Sequence, residues 1–311
     1  LALGNPRFIY IFLAALGVGI GNALNAPAWS AMLPSLVRPV DLPGALSLNS
    51  VVINGSRVVG PIIVAVLSQV GFTTAGFFFM NAATYLFVIS ALMAVHIPTI
   101  TPDTTQGWRR FTSGISLARE ISGVSRLLLT LATFSLFSLP YVGLFPAVAH
   151  VNFGIAEDGA MYKWLYATWG LGAALGGLAI GTKFSHRDQR KLVQYGFVGF
   201  AVSMVFFAIS RSAVPAFIFG FILGFAYFFT TTAMSIVVQS RLKPEMRGRV
   251  MSLWFMSFGG TVPLGNMLFG PIVDQYGARW LLLFGAAWAL FLAWWCNVSA
   301  LDAKNGYLSS K

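Results

Sequence analysis

Charge is what this sequence of 311 residues has least of: Asp, Glu, Lys and Arg together make 9% of it while hydrophobic residues make 57%. Soluble domains run at about 25% charged and 45–50% apolar, so a soluble globular class is excluded. Cysteine is nearly absent, and the single Cys296 leaves no internal disulfide. The three histidines, His96, His150 and His186, are too scattered for a metal cluster. Acid is scarce too. The nine carboxylates, Asp41, Asp103, Glu120, Glu157, Asp158, Asp188, Glu245, Asp274 and Asp302, fall in connectors or at the ends of apolar runs. No paired intramembrane carboxylates, HExxH motif or catalytic-looking cysteine is present, which leaves an enzyme without a candidate site. A G-x-x-x-x-G-K-[ST] phosphate loop is missing as well, which disfavours a primary pump. No metal and no cofactor is expected. The opening LALGNPRF lacks the basic start and cleavage site of a signal peptide.

What the chain does have is apolar runs longer than the ~20 residues that cross a bilayer, without the alternation of a lipid-facing barrel. Nine helical spans are expected at about 8–33, 44–68, 75–97, 126–149, 160–183, 190–210, 213–239, 247–273 and 279–300. The net charge of +11 sits in the short connectors and not along one soluble face, which argues against nucleic acid. Alternating the spans puts fifteen basic residues on one side, among them Arg109, Arg110, Arg119, Arg126, Arg187, Arg190 and Lys191. The other side receives four, Arg7, Lys163, Arg211 and Arg279. The richer side reads as cytoplasmic, with the C-terminus inside.

A layout recurs at an offset of 205 residues: Arg38-Pro39 matches Lys243-Pro244, Ser47-Leu48 matches Ser252-Leu253, and Gly60 matches Gly265. Two similar halves are the expectation. Residues 1–97 would be three helices of the first bundle and 98–125 a cytoplasmic linker with an interfacial helix. Residues 126–311 would be a complete bundle of six. The repeat leaves three helices of the first half unaccounted for, and they are expected before Leu1. In the linker, Trp108, Phe111, Ile115, Leu117, Ile121 and Val124 alternate with Arg109, Arg110, Arg119 and Glu120, as a helix at headgroup level would.

Arg57 is the outlier. It lies thirteen residues past Gly44 and eleven short of Ser68, roughly 20 Å and 16 Å at 1.5 Å per residue, beyond easy reach of either interface. A mid-membrane arginine costs about 2.5–3.5 kcal/mol on insertion scales and commonly faces a bundle interior or a water-filled path. A functional switch and a structural link to backbone carbonyls both fit. Gly60-Pro61 follow it, and Pro263 with Gly265 echo them, so both helices are expected to kink. Asn22, Asn25, Asn49, Asn54, Asn81, Gln239 and Asn266 are polar groups at or near membrane depth, either interhelical glue or cavity lining. Trp164, Tyr166, Trp169, Tyr227, Phe228, Phe229, Trp254 and Phe255 could line an apolar cavity or simply pack a core. The spacings Gly17/Gly21, Gly172/Gly176, Gly177/Gly181 and Gly220/Gly224 place small residues on one helix face for close packing.

The segments Pro27-Ala-Trp-Ser-Ala-Met-Leu-Pro34, Ala45-Leu-Ser-Leu-Asn49-Ser50 and Asn54-Gly-Ser-Arg57-Val-Val-Gly60-Pro61 resemble helices four and five of major facilitator superfamily exporters of the enterobactin-exporter and macrolide-efflux type. Arg247-Gly-Arg249-Val-Met-Ser-Leu253 and Gly270-Pro-Ile-Val-Asp274-Gln-Tyr-Gly277-Ala-Arg279 resemble the family's eleventh helix and its outer edge. The resemblance implies an all-α integral membrane fold of this superfamily lacking the first three helices, with nine transmembrane helices in two pseudo-repeated bundles. It implies a monomeric secondary transporter of the bacterial inner membrane, exporting a small amphipathic compound (drug, macrolide or siderophore) by alternating access against inward proton flow. A non-transporting sensor on the same fold, or an inactive fragment, are the alternatives. Arg57, Gly60 and Pro61 match the family's antiporter motif, with Val64-Ala65 where its second glycine pair usually stands. Gly181 through Lys191, including Arg187 and Arg190, resemble the cytoplasmic gate loop, with Ser185 at its customary acidic position.

Overall fold

A computed structural model describes residues 8–32, 36, 38, 52, 55–56, 59–60, 62–64, 66–94, 108–157, 159–184, 186–242 and 244–297. No strand occurs among them. The chain divides into two compact units, one of Leu1–Ile53 with Ile63–Thr105, the other of Asn54–Ile62 with Gln106–Lys311.

The first unit contains α1 (Phe8–Met32) and α2 (Thr74–Ala94), both uninterrupted apolar helices without a charged residue. None of the residues of α2 is buried, and Gly71 supplies the left-handed turn before it with φ +84°. That conformation costs glycine nothing and would strain any side chain.

The second unit has a dense interior. Its elements are α3 (Trp108–Glu120), α4 (Val124–Phe137), α5 (Pro140–Gly143), α6 (Phe145–Phe153), α7 (Ala160–Gly181), α8 (Gln189–Ile209), α9 (Ala213–Ser240) and α10 (Pro244–Phe255). A π-helical segment, Met256–Gly260, joins α10 to α11 (Thr261–Tyr276), and α12 (Ala278–Trp295) closes the unit. Helix α9 packs along both α7 and α8, and α8 along α12, while α11 crosses α4, α5 and α12. Phe134 sits fully buried at the centre, edge-on to Phe197 at 5.1 Å and Phe200 at 4.9 Å. These are the edge-to-face arrangements aromatic rings prefer.

By length and hydropathy, four of the described helices suffice to cross a membrane: α2, α8, α9 and α12. A fifth results if the α3 and α4 pair, bent by 115°, is taken as one. Two expected spans are not continuous. The run 126–149 is three helices, because Pro140 and Pro146 each open a new one at its first turn and donate nothing to the turn before. The run 247–273 is α10, the π segment and α11 in sequence. Pro263 stands just beyond the π segment, and without an N–H it cannot pair with the carbonyl of Gly259, so the helical register slips there. The linker helix α3 forms as expected, but its small residues Gly114 and Ala118 are buried, and α3 packs against α10. A Cβ on Gly114 would come 3.1 Å from the Arg249 carbonyl oxygen, so this face of α3 meets protein at close range.

Candidate functional site

The site begins with two helices that almost touch. A Cβ on Gly172 of α7 would sit 2.0 Å from the carbonyl oxygen of Phe221, one on Gly176 2.1 Å from that of Phe225, and one on Gly224 of α9 2.1 Å from that of Trp169. Only hydrogen fits at these three positions, so Gly172 and Gly176 of α7 and Gly224 of α9 do bring the backbones together, whereas a Cβ on Gly220 would face the Phe207 ring at 3.3 Å. A Cβ on Gly17, Gly21 or Gly181 would meet nothing among the described residues within 4 Å.

Close backbone approach brings rings together. Tyr162, Tyr166 and Trp169 of α7 stack in turn, at 6.3 Å and then 5.3 Å. Trp169 stacks on Tyr227 of α9 at 6.0 Å, and Tyr227 lies nearly parallel to Phe258 of the π segment, 6.4 Å between centroids and 16° between planes. The indole Nε1 of Trp169 donates to the hydroxyl of Tyr141 at 3.2 Å, which holds the ladder against α5.

At the end of this ladder is a cavity of about 280 Å³. Leu139 and Val142 come from the α4–α5 break, Tyr227 from α9, Phe258 and Gly259 from the π segment, and Val262 and Pro263 from α11. Among these described residues none carries a charge, and the Tyr227 phenol is the only side-chain heteroatom. One turn past Val262, the side chain of Asn266 lies where a Cβ on Gly143 would be. Its Oδ1 is buried without a hydrogen-bond partner. The hydroxyl of Ser138 donates to the Gly285 carbonyl of α12 at 2.8 Å, which pins the break in place.

The other expected residues are spread out. Arg57, Asn54 and Pro61 lie outside the described residues; Gly60 is helical and half-buried. Asn22 and Asn25 are exposed on α1. Gln239 is near the end of α9, donating to the Ser235 hydroxyl at 2.9 Å, three turns from Tyr227. Trp254 is buried in α10 and does not line the cavity. Of the aromatics considered, only Tyr227 lines it, and Trp169 backs Tyr227.

In the basic loop, Arg187 and Lys191 are exposed, whereas Arg190 closes on Asp188 through Nε at 2.9 Å and Nη2 at 3.1 Å. Asp188 also accepts from the Arg190 backbone N–H at 3.0 Å and so caps α8. The hydrogen-bonded Arg190 guanidinium holds the Asp188 carboxyl below its usual value, against an opposing push from partial burial.

Reading the sequence alone missed Leu139, Val142, Phe258, Gly259 and Val262. The signal that could have found them is helix-breaking chemistry: Pro140 and Pro146 in one run, and Gly259-Gly260 shortly before Pro263 in another.

The profile of one family, described as transmembrane secretion effector, a branch of the major facilitator superfamily, matches residues 3–306. The chain belongs to that family. Macrolide efflux protein A of Streptococcus pyogenes is 25% identical over 282 residues, which cover 86% of this chain and 67% of that protein. Macrolide efflux protein A of Enterococcus faecalis is 24% identical over 261 residues, 79% of this chain and 77% of that protein. The staphyloferrin A transporter of Staphylococcus aureus is 26% identical over 282 residues, 88% of this chain and 67% of that protein. The chain is thus a multi-pass protein of a bacterial membrane in a family of transporters.

Proposed function

We propose that the chain is a secondary active exporter of small amphipathic molecules, working by alternating access and driven by protons moving inward. The observation that carries this reading is the uncharged, aromatic-walled cavity at a helix break, in a chain whose relatives are named for macrolide efflux and siderophore transport. A pocket with apolar walls and few polar groups suits the apolar body of such a molecule. The two halves, 1–97 and 126–311 joined by the linker 98–125, rock about the substrate, with the C-terminus on the cytoplasmic side as the fifteen-to-four basic asymmetry favours.

Arg57 couples the proton to this motion, with Gly60 and Pro61 letting its helix bend; Arg187, Arg190 and Lys191 belong to the cytoplasmic gate. A carboxylate paired with Arg57 would be held ionised, and its protonation would loosen the contact. The test is membrane abundance and energised efflux of a small amphipathic dye, measured together across pH. Arg57→Lys keeps the charge but loses the planar fork, so it inserts normally and exports poorly. Arg57→Ala uncouples export from the proton gradient. Wild-type abundance together with wild-type export in both variants would overturn the coupling role.

A further inference from the structure

We infer that the cavity beside the π-helical segment receives a flat, non-anionic ring system carrying an N–H or O–H donor on its edge. This rests on the exporter reading and names the substrate class of the same site.

Charge is the first filter. Among the described residues no cationic side chain lines the cavity, and an anion taken from water into apolar walls without a partner is strongly disfavoured. Ring faces are negative at their centres, so Tyr227 and Phe258 accept a neutral ring or a delocalised cation and repel an anion.

Shape is the second. Tyr227 and Phe258 present nearly parallel planes, 16° apart, at the end of a stack that continues through Trp169, Tyr166 and Tyr162. A planar group laid against this wall extends the stack, whereas a puckered aliphatic body touches it at few points. Size agrees. A pocket of roughly 150 Å³ holds one benzene ring and whole drug-sized ligands occupy roughly 300–1,000 Å³. The 280 Å³ here fits a fused or linked ring portion.

Hydrogen bonding is the third filter, and the acceptors at and beside the cavity call for a donor. Pro263 has no N–H, so the Gly259 carbonyl at the cavity wall lacks its helical i+4 donor. The Asn266 Oδ1, one turn beyond Val262, is a buried acceptor without a partner. The Asn266 acceptor, buried without a partner, costs about 1–3 kcal/mol, so a ligand whose donor reaches it is favoured over one that brings only acceptors.

The test uses the full chain in lipid nanodiscs and Hoechst 33342, a planar bis-benzimidazole with N–H donors that brightens in apolar surroundings. Saturable binding is expected, weakened about three- to tenfold in Tyr227→Leu and Phe258→Leu, the range a lost ring contact gives. Tyr227→Phe, which keeps the ring, loses less than Tyr227→Leu. Pro263→Ala restores an N–H that competes for the Gly259 carbonyl and weakens binding. Gly259→Ala does so by filling space, since a Cβ there meets no described atom within 4 Å. Ser116→Ala, on the exposed face of α3, leaves it unchanged. The aromatic anion 8-anilinonaphthalene-1-sulfonate should neither displace the dye nor depend on these residues. Dissociation constants within twofold of wild type in every folded variant, or displacement by the anion, would overturn the assignment.

Energised dye efflux from cells separates the two readings. Ring-dependent binding without efflux by the wild type would defeat the exporter reading and leave the site standing. Efflux that ignores Tyr227 and Phe258 would do the reverse.

Discussion

Two parts of the second unit handle the same elements, apolar helices, in opposite ways. Where α7 meets α9, glycines let backbone touch backbone and leave no space even for a methyl group. Where the α4–α5 break faces the π segment, helices are interrupted and a cavity remains. In a bilayer lipid competes for every apolar surface, so helices associate by fit and by hydrogen bonds more than by escape from water. Glycine maximises fit in the first region. Proline spoils it in the second, leaving an opening and carbonyls that lack helical partners. The close-packed pair works as a frame, and the broken rods as the part that can accept something.

The contrast is broken most sharply at Gly172 and Gly224. Gly172→Ala and Gly224→Ala should each lower stability by about 1–3 kcal/mol, because the added carbon collides with backbone that cannot turn aside. Gly259→Ala should stay within about 0.5 kcal/mol of wild type. Thermal unfolding of the purified proteins in detergent, followed by tryptophan fluorescence, measures all three. Equal losses at the three positions would erase the distinction between frame and opening.

A smaller effect probes what holds the break in place. Ser138→Ala removes the buried bond to the Gly285 carbonyl and should cost about 1 kcal/mol. The same unfolding assay reads it, and an unchanged midpoint would show that α5 keeps its position without the tie to α12.

The smallest effect lies outside both regions, at the cap of α8. The Asp188 carboxyl is held below its usual 3.8 by Arg190. Its folded pKa is therefore lower than its unfolded one, so its contribution is complete above the unfolded value and disappears as pH falls through the folded value. Asp188→Asn should cost about 1 kcal/mol or less at neutral pH, with the difference from wild type closing in acid. Melting temperatures of the two proteins between neutral pH and pH 3 would show it.

Much of the scaffold is legible in the residues, and the reason differs from element to element. The expected spans 160–183, 190–210 and 213–239 correspond to helices Ala160–Gly181, Gln189–Ile209 and Ala213–Ser240. Long uncharged runs bounded by Lys163 and Lys183, by Lys191 and Arg211, and by Arg211 and Arg241 have little other choice, because unpaired backbone groups are too costly in lipid. The linker helix at Trp108–Glu120 showed in its amphipathic spacing. The site was harder to see. Tyr227 was one of eight aromatics considered, and nothing local distinguishes it from Phe228 beside it.

Composition and spacing by themselves determined the class of molecule, the helical runs, the glycine faces and the scarcity of chemistry-bearing groups, because each follows from local preferences or from the solvent the chain must satisfy. Only the tertiary structure decided that the break at Pro140 meets Pro263 at one cavity, and that Trp169 backs Tyr227 across two glycine-packed helices. Residues 140 and 263 are far apart along the chain, and their meeting is set by how α11 crosses α4 and α5. A crossing is a property of two surfaces together, and neither segment carries it alone.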